Sequence, residues 1–209
     1  MKKLLLLLLC VPLIGFGQEK ILINQLTNKL QAEAELPMVY LESLPLIKYK
    51  GELFTGIAYN NPINKYYDGE KFEANFIDGE LNGLYREWCI NGKLMTEGNY
   101  KNGKQEGLWI YYSFWDNCGF LEYEINYKDG LFHGLKKEFW ENGQLKHKGY
   151  WSDGKKHGTH KFWYLGGALG REENYKDDKK HGLHKWWKSN GTLLSEEYYD
   201  EGKLINGKD

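Results

Sequence analysis

Proline is scarce in this chain, at 4 of 209 residues, and cysteine is scarcer, at 3. With so few cysteines, at most one structural bridge can form. No excess of either charge is present, since 28 basic residues face 29 acidic ones. A nucleic-acid binder would usually be strongly basic, so that class is set aside. Long apolar runs are also absent, with one exception at the start. "MKKLLLLLLCVPLIGFGQ" has two lysines, an apolar run and a small-x-small ending at Gly15-Phe16-Gly17. That order predicts an export signal over residues 1–17, cleaved after Gly17. The run is too short and wrongly flanked for a membrane-spanning helix. A rival reading makes Cys10 a lipidated cysteine. Leu9 is bulky where such a site wants a small residue, and apolar sequence continues beyond Cys10. Without Lys2 and Lys3, 26 basic residues face 29 acidic ones, a net charge of −3.

Glycine and aromatics are plentiful. There are 25 glycines, 16 tyrosines and 8 tryptophans, and aromatics make up 16% of the chain. A disordered chain would be poor in aromatics. Glycine and rings with little proline suggest short β-strands and tight turns.

A repeat organises them. The pattern aromatic-x-x-Gly-x-x-x-Gly begins at Phe76, Tyr100, Tyr127, Trp151 and Tyr175, and a frayed copy begins at Tyr199. The starts lie 24 residues apart except once. Three extra residues in "SFWDNCGF", before Gly119, lengthen that copy to 27. A degenerate copy occupies residues 49–75, the array residues 76–202 and a tail 203–209. Residues 18–48 lie outside the repeat and read as an N-terminal cap or linker, with "NQLTNKLQAEAE" suited to a short helix. Within each copy stands Asn91-Gly92, Cys118-Gly119, Asn142-Gly143, Gly166-Gly167 or Asn190-Gly191. Asn-Gly between apolar runs predicts a two-residue hairpin turn with both residues at positive φ. The register then places Gly83 opposite Tyr100, Gly134 opposite Trp151, Gly158 opposite Tyr175 and Gly182 opposite Tyr199. A ring lying across bare backbone explains those pairs. Arg86–Glu97, Lys161–Glu172 and Lys185–Glu196 become opposite charges across the ladder. Lys137 facing Lys148 breaks the rule. One hairpin cannot bury its apolar face alone, so the copies must stack. The expected fold is all-β, an elongated single sheet of antiparallel hairpins.

Copies such as "YKNGKQEGLW", with a later NGxL turn, resemble the MORN-repeat variant of bacterial proteins called YwqK-type antitoxins. The resemblance runs from about Tyr49 to Gly207. It implies side-by-side hairpins in a twisted sheet and implies function only weakly. Copy five departs from it with Asp178 in place of a glycine.

Candidate sites were weighed against that scaffold. His181 and His184 are three apart, so on a strand they point to opposite faces. Equivalent histidines of neighbouring copies sit roughly 10 Å apart, too far to share a zinc ion. No metal and no cofactor is therefore expected. No G-x-S-x-G elbow is present, and "GGALG" is a turn with no helix after it, so no catalytic residues are assigned and the protein reads as a non-enzyme. The column Trp88, Tyr112, Phe139, Trp163, Trp187 and the leucines Leu94, Leu121, Leu145, Leu169, Leu193 form the expected packed face. The alternate face carries Tyr85, Trp109, His160 and His184 in one column. Tyr111, Phe162 and Trp186 stand in the next. Exposed rings in rows suit a groove for peptide, glycan or protein. The rival is a curled sheet that buries part of both faces. Cys89 and Cys118 are candidates for a disulfide, through the inserted loop. The expectation is an exported binding scaffold whose partner is a protein or an envelope polymer, by the antitoxin resemblance a polypeptide toxin. Contact with a membrane surface stays open, as does a periplasmic, outer-membrane or secreted address.

Overall fold

The computed structural model describes residues 20–22, 48–49, 52–59, 71–89, 91–113 and 119–208. The expected leader with Cys10, the helix expected within residues 18–48 and Cys118 lie outside these residues. All regular structure among them is β. A short strand β1 (Lys20–Leu22) runs parallel to β4 (Gly56–Tyr59). A small pair, β2 (Lys48–Tyr49) and β3 (Glu52–Leu53), stands apart. From β4 onward every neighbour is antiparallel and next in the chain: β5 (Lys71–Ile77), β6 (Glu80–Trp88), β7 (Leu94–Lys101), β8 (Lys104–Tyr112), β9 (Leu121–Lys128), β10 (Leu131–Phe139), β11 (Leu145–Ser152), β12 (Lys155–Trp163), β13 (Leu169–Lys176), β15 (Gly182–Trp187), β16 (Leu193–Asp200) and β17 (Lys203–Lys208). β14 (Lys179–Lys180) pairs with β13 beside β15. The result is one 15-stranded sheet in meander order.

The expected register holds in detail. Gly83 faces Tyr100, Gly134 faces Trp151, Gly158 faces Tyr175 and Gly182 faces Tyr199. The cross-strand charges meet at 2.5 Å for Arg86–Glu97, 2.9 Å for Lys161–Glu172 and 3.1 Å for Lys185–Glu196. Lys137 does face Lys148, and turns its ammonium the other way, to Glu124 at 2.6 Å.

The turns differ from expectation. In the Asn-Gly turns only the glycine is left-handed, as at Gly143 (φ 79°). Gly143 N–H donates to Trp140 O and Trp140 N–H to Gln144 O, which closes a three-residue loop with a bulge. Asn142 contributes by accepting the Gln144 N–H on Oδ1, as Asn190 does for Thr192. The turns with both central residues at positive φ join one copy to the next: Asn102-Gly103, Asp129-Gly130, Asp153-Gly154 and even Asp177-Asp178.

The glycine facing each ring also has another cause. Gly83 lies at φ 107° and Gly158 at φ 69°, conformations that a side chain strains. Each marks a bulge. Ala74 faces Tyr85, but two residues on Phe76 faces Leu81, so the second strand carries two extra residues. The Asn75 amide Nδ2 fills that gap and donates to Leu84 O at 2.8 Å. Asn126 and Asn174 repeat the bond on Leu135 and Leu183.

Candidate functional site

The two faces are reversed relative to expectation. Tyr85 is 3% exposed, Trp109 1%, and His160 and His184 0%. These residues are core, and no open groove is built from them. Trp88, Tyr112, Phe139, Trp163 and Trp187 are only half-buried. The reason is packing within a single layer. Among the described residues nothing lies over the array from β8 onward, so its rings bury one another. Trp109 meets Tyr85 at 5.8 Å stacked and Tyr100 at 4.9 Å edge-on. His160 lies between Trp151 at 4.5 Å and Tyr175 at 5.2 Å. Small residues beneath make room. A Cβ on Gly98 would stand 2.1 Å from the Trp109 ring, and one on Gly149 2.3 Å from His160. Tyr111, Phe162 and Trp186 stand in the adjoining row and are half-buried.

The buried histidines serve the scaffold. His184 Nε2 donates to Asn174 O at 2.9 Å and His160 Nε2 to Tyr150 O at 2.9 Å. Trp109 Nε1 makes the same bond to Asn99 O at 3.1 Å. His160 Nδ1 then faces His147 Nε2 at 3.2 Å. Burial pushes His147 down to about 3, helped by neighbouring His160 and Lys136, and burial lowers His160 and His184 as well. All three stay neutral at ordinary pH. His181 sits apart from His184, 3.2 Å from Asp200. His181, Asp200 and Glu201 do place one ligand atom each within 4.8 Å of one another. The Glu201 oxygens are already engaged by Lys176 at 3.1 Å and Lys179 at 3.2 Å.

What the sequence reading missed is a set of cations on the ring-bearing face. Lys136 Nζ stands 4.9 Å from the Phe132 ring, 5.3 Å from Tyr123 and 5.6 Å from Trp151. Lys156 lies 4.9 Å from Tyr175, and Lys180 4.5 Å from Tyr199 and 5.7 Å from Trp186. The Arg171 guanidinium covers Phe162 at 3.9 Å, and His147 stacks on the same ring at 4.3 Å. Lysines such as Lys137, Lys161 and Lys185 each hold a carboxylate across the ladder. Among the described residues, Lys136, Lys156 and Lys180 have none within 4.0 Å. The face also carries Glu173 and Glu197. Tyr175 donates to Glu173 at 3.0 Å and Tyr199 to Glu197 at 2.5 Å. The signal was present in the repeat columns. Lys156 and Lys180 hold the position that is Leu81 or Phe132 in earlier copies, and Lys136 the position of Trp109.

A cavity of about 450 Å3 opens beside Lys136, against Ile125, Thr96, Tyr111, Tyr123 and Tyr127. Tyr111 Oη accepts from Gln105 Nε2 at 3.0 Å and meets Tyr127 Oη at 3.2 Å. Burial, then its bond to Tyr127, raises the Tyr111 phenol well above its ordinary value. Cys89 is buried and disulfide-bonded, while its expected partner Cys118 lies outside the described residues.

Comparison with known families fits this geometry. Three stretches match the MORN repeat variant, residues 81–102, 132–155 and 180–201. Each stretch spans a MORN-variant copy from the strand before its bulge glycine to the start of the next copy. No curated protein matches the chain. MORN-variant copies point to a repeat protein that works by binding or interaction.

Proposed function

We propose that this protein is an exported, non-catalytic scaffold that holds an acidic segment of a protein partner along its cation–ring face. One observation carries the reading: among the described residues Lys136, Lys156 and Lys180 sit half-buried over rings with no carboxylate within 4.0 Å, while Lys137, Lys161 and Lys185 each hold one across the ladder. A carboxylate arriving there meets a cation already placed by the sheet, so little side-chain freedom is lost on binding. Lys156 and Lys180 are one copy apart, roughly 10 Å at about 4.8 Å per strand. A peptide in the polyproline II conformation, crossing the strands, returns to the same side every three residues and covers nearly that distance at about 3.1 Å each. The favoured ligand therefore carries Glu or Asp at every third position. Export rests on the leader at residues 1–17. The resemblance to YwqK-type antitoxins makes a polypeptide toxin one such partner.

The test is titration of a labelled peptide with glutamate at every third position, against its lysine counterpart. The glutamate peptide binds, binding weakens with salt, and the double change Lys156→Glu with Lys180→Glu costs at least about tenfold, near 1.4 kcal/mol. Equal binding of the lysine peptide, or no loss in the double variant, would refute the reading. Binding of an anionic polysaccharide in place of the peptide would move the partner to an envelope polymer.

A further inference from the structure

Copy three breaks the core column. Where Tyr85, Trp109, His160 and His184 place a ring, copy three has Lys136. Where Gly98 and Gly149 lie under a ring, eleven residues before it, copy three has Ile125. The column therefore lacks a ring at this copy. The cavity of about 450 Å3 opens at that place, and its volume lies within the range of small-ligand pockets.

We propose that this cavity binds a carboxylate carried on an aromatic ring or a short apolar body. The carboxylate is held by the Lys136 ammonium, and the body lies among Tyr111, Tyr123 and Ile125. Three features select this chemistry. Among the described residues Lys136 is hemmed by three rings within 6 Å and has no carboxylate within 4.0 Å, so an incoming carboxylate finds the ammonium unengaged. The lining holds four tyrosines with Ile125 and Met95, beside the polar Thr96 and Glu122, and its rings suit a flat body. Glu122, also in the lining, opposes anions of higher charge such as phosphate. Burial lowers the Lys136 ammonium below its ordinary value, against the opposing pull of the Glu138 carboxylate. The carboxylate has two sources, a free small acid or the C-terminal residue of a peptide.

Calorimetric titration of the full-length protein separates the outcomes, using benzoate, its neutral isostere benzamide, inorganic phosphate, and a peptide ending in phenylalanine as acid or as amide. Benzoate saturates with Kd below about 1 mM, and benzamide and phosphate bind at least about tenfold more weakly. Lys136→Met keeps the stem and the strand spectrum but loses benzoate binding by at least about tenfold. Lys180→Met, two copies away, weakens the acidic-segment peptide but not benzoate, which separates this site from the acidic-segment reading. A free-acid peptide that binds tighter than benzoate, with its amide weaker, assigns the site to a chain terminus. The reverse order assigns it to a free acid. Benzamide equal to benzoate, phosphate equal to benzoate, or full binding in Lys136→Met would each overturn the proposal.

Discussion

Trp109, His160 and His184 differ in size and polarity yet make the same bond, a ring N–H to a main-chain oxygen ten residues earlier. That oxygen sits at the bulge, and in the Asn174 copy the ring bond is a second one, beside the His181 N–H at 2.9 Å. A hydrogen bond of this kind contributes about 0.5–1.5 kcal/mol. His184→Phe keeps a ring of similar size and loses the donor. It is expected to lower stability by about that amount in urea unfolding, and a loss below about 0.5 kcal/mol would show the bond to be incidental. The same histidines give a pH dependence. Their folded pKa values lie below the unfolded value near 6.5, with His147 at about 3. Between about pH 6.5 and 3 the unfolded chain binds more protons, so stability is full above 6.5 and falls with acid. The slope approaches about 1.4 kcal/mol per pH unit for each such imidazole. Unfolding midpoints measured from pH 7 to 4 should drop steeply, and His147→Gln should flatten the drop.

The elements show which residues carry information and which do not. The pairs Arg86–Glu97 and Lys185–Glu196 could be read from the turn, because a hairpin's register is arithmetic once its loop is placed. The choice of buried face could not, because both faces carry rings at period two. What decides it is the small residue beneath the ring, Gly98 under Trp109 or Gly149 under His160, which depends on pairing across a bulge. The bulge itself was hidden, since aromatic rescue accounts for Gly83 opposite Tyr100 as readily as a positive φ does. Asn75, Asn126 and Asn174, one residue before the first aromatic of their copies, were the overlooked sign. Each amide closes the carbonyl exposed by its bulge. Asn126→Ala removes the 2.7 Å bond to Leu135 O and should cost about 1–2 kcal/mol. Amide exchange should quicken first in β9 and β10, and uniform quickening would argue against a local role.

At the scale of the whole molecule, each copy touches only its neighbours through the meander, so stability is close to a sum over copies and interfaces. That makes the period testable as a physical quantity. Removing Lys155–Asp178, one period of 24, joins Gly154 to Lys179 and replaces one inter-copy turn with its equivalent. Every strand keeps its parity, His184 takes the place of His160, and Glu173 leaves together with Tyr175, which donates to it. The shortened protein should fold with an unchanged strand spectrum and a smaller urea m-value, because less surface is buried. Removing 23 residues instead turns every later side chain to the other face. It would drive Lys185 inward and His184 outward, and cooperative unfolding should be lost in the C-terminal copies. Equal stability of the two deletions would mean that the copies do not share one continuous ladder. The 24-residue deletion also brings Lys180 into the place of Lys156, one copy closer to Lys136. A peptide with a carboxylate pair spaced for two adjacent copies should still bind it, and a peptide that needs three cations in line should not.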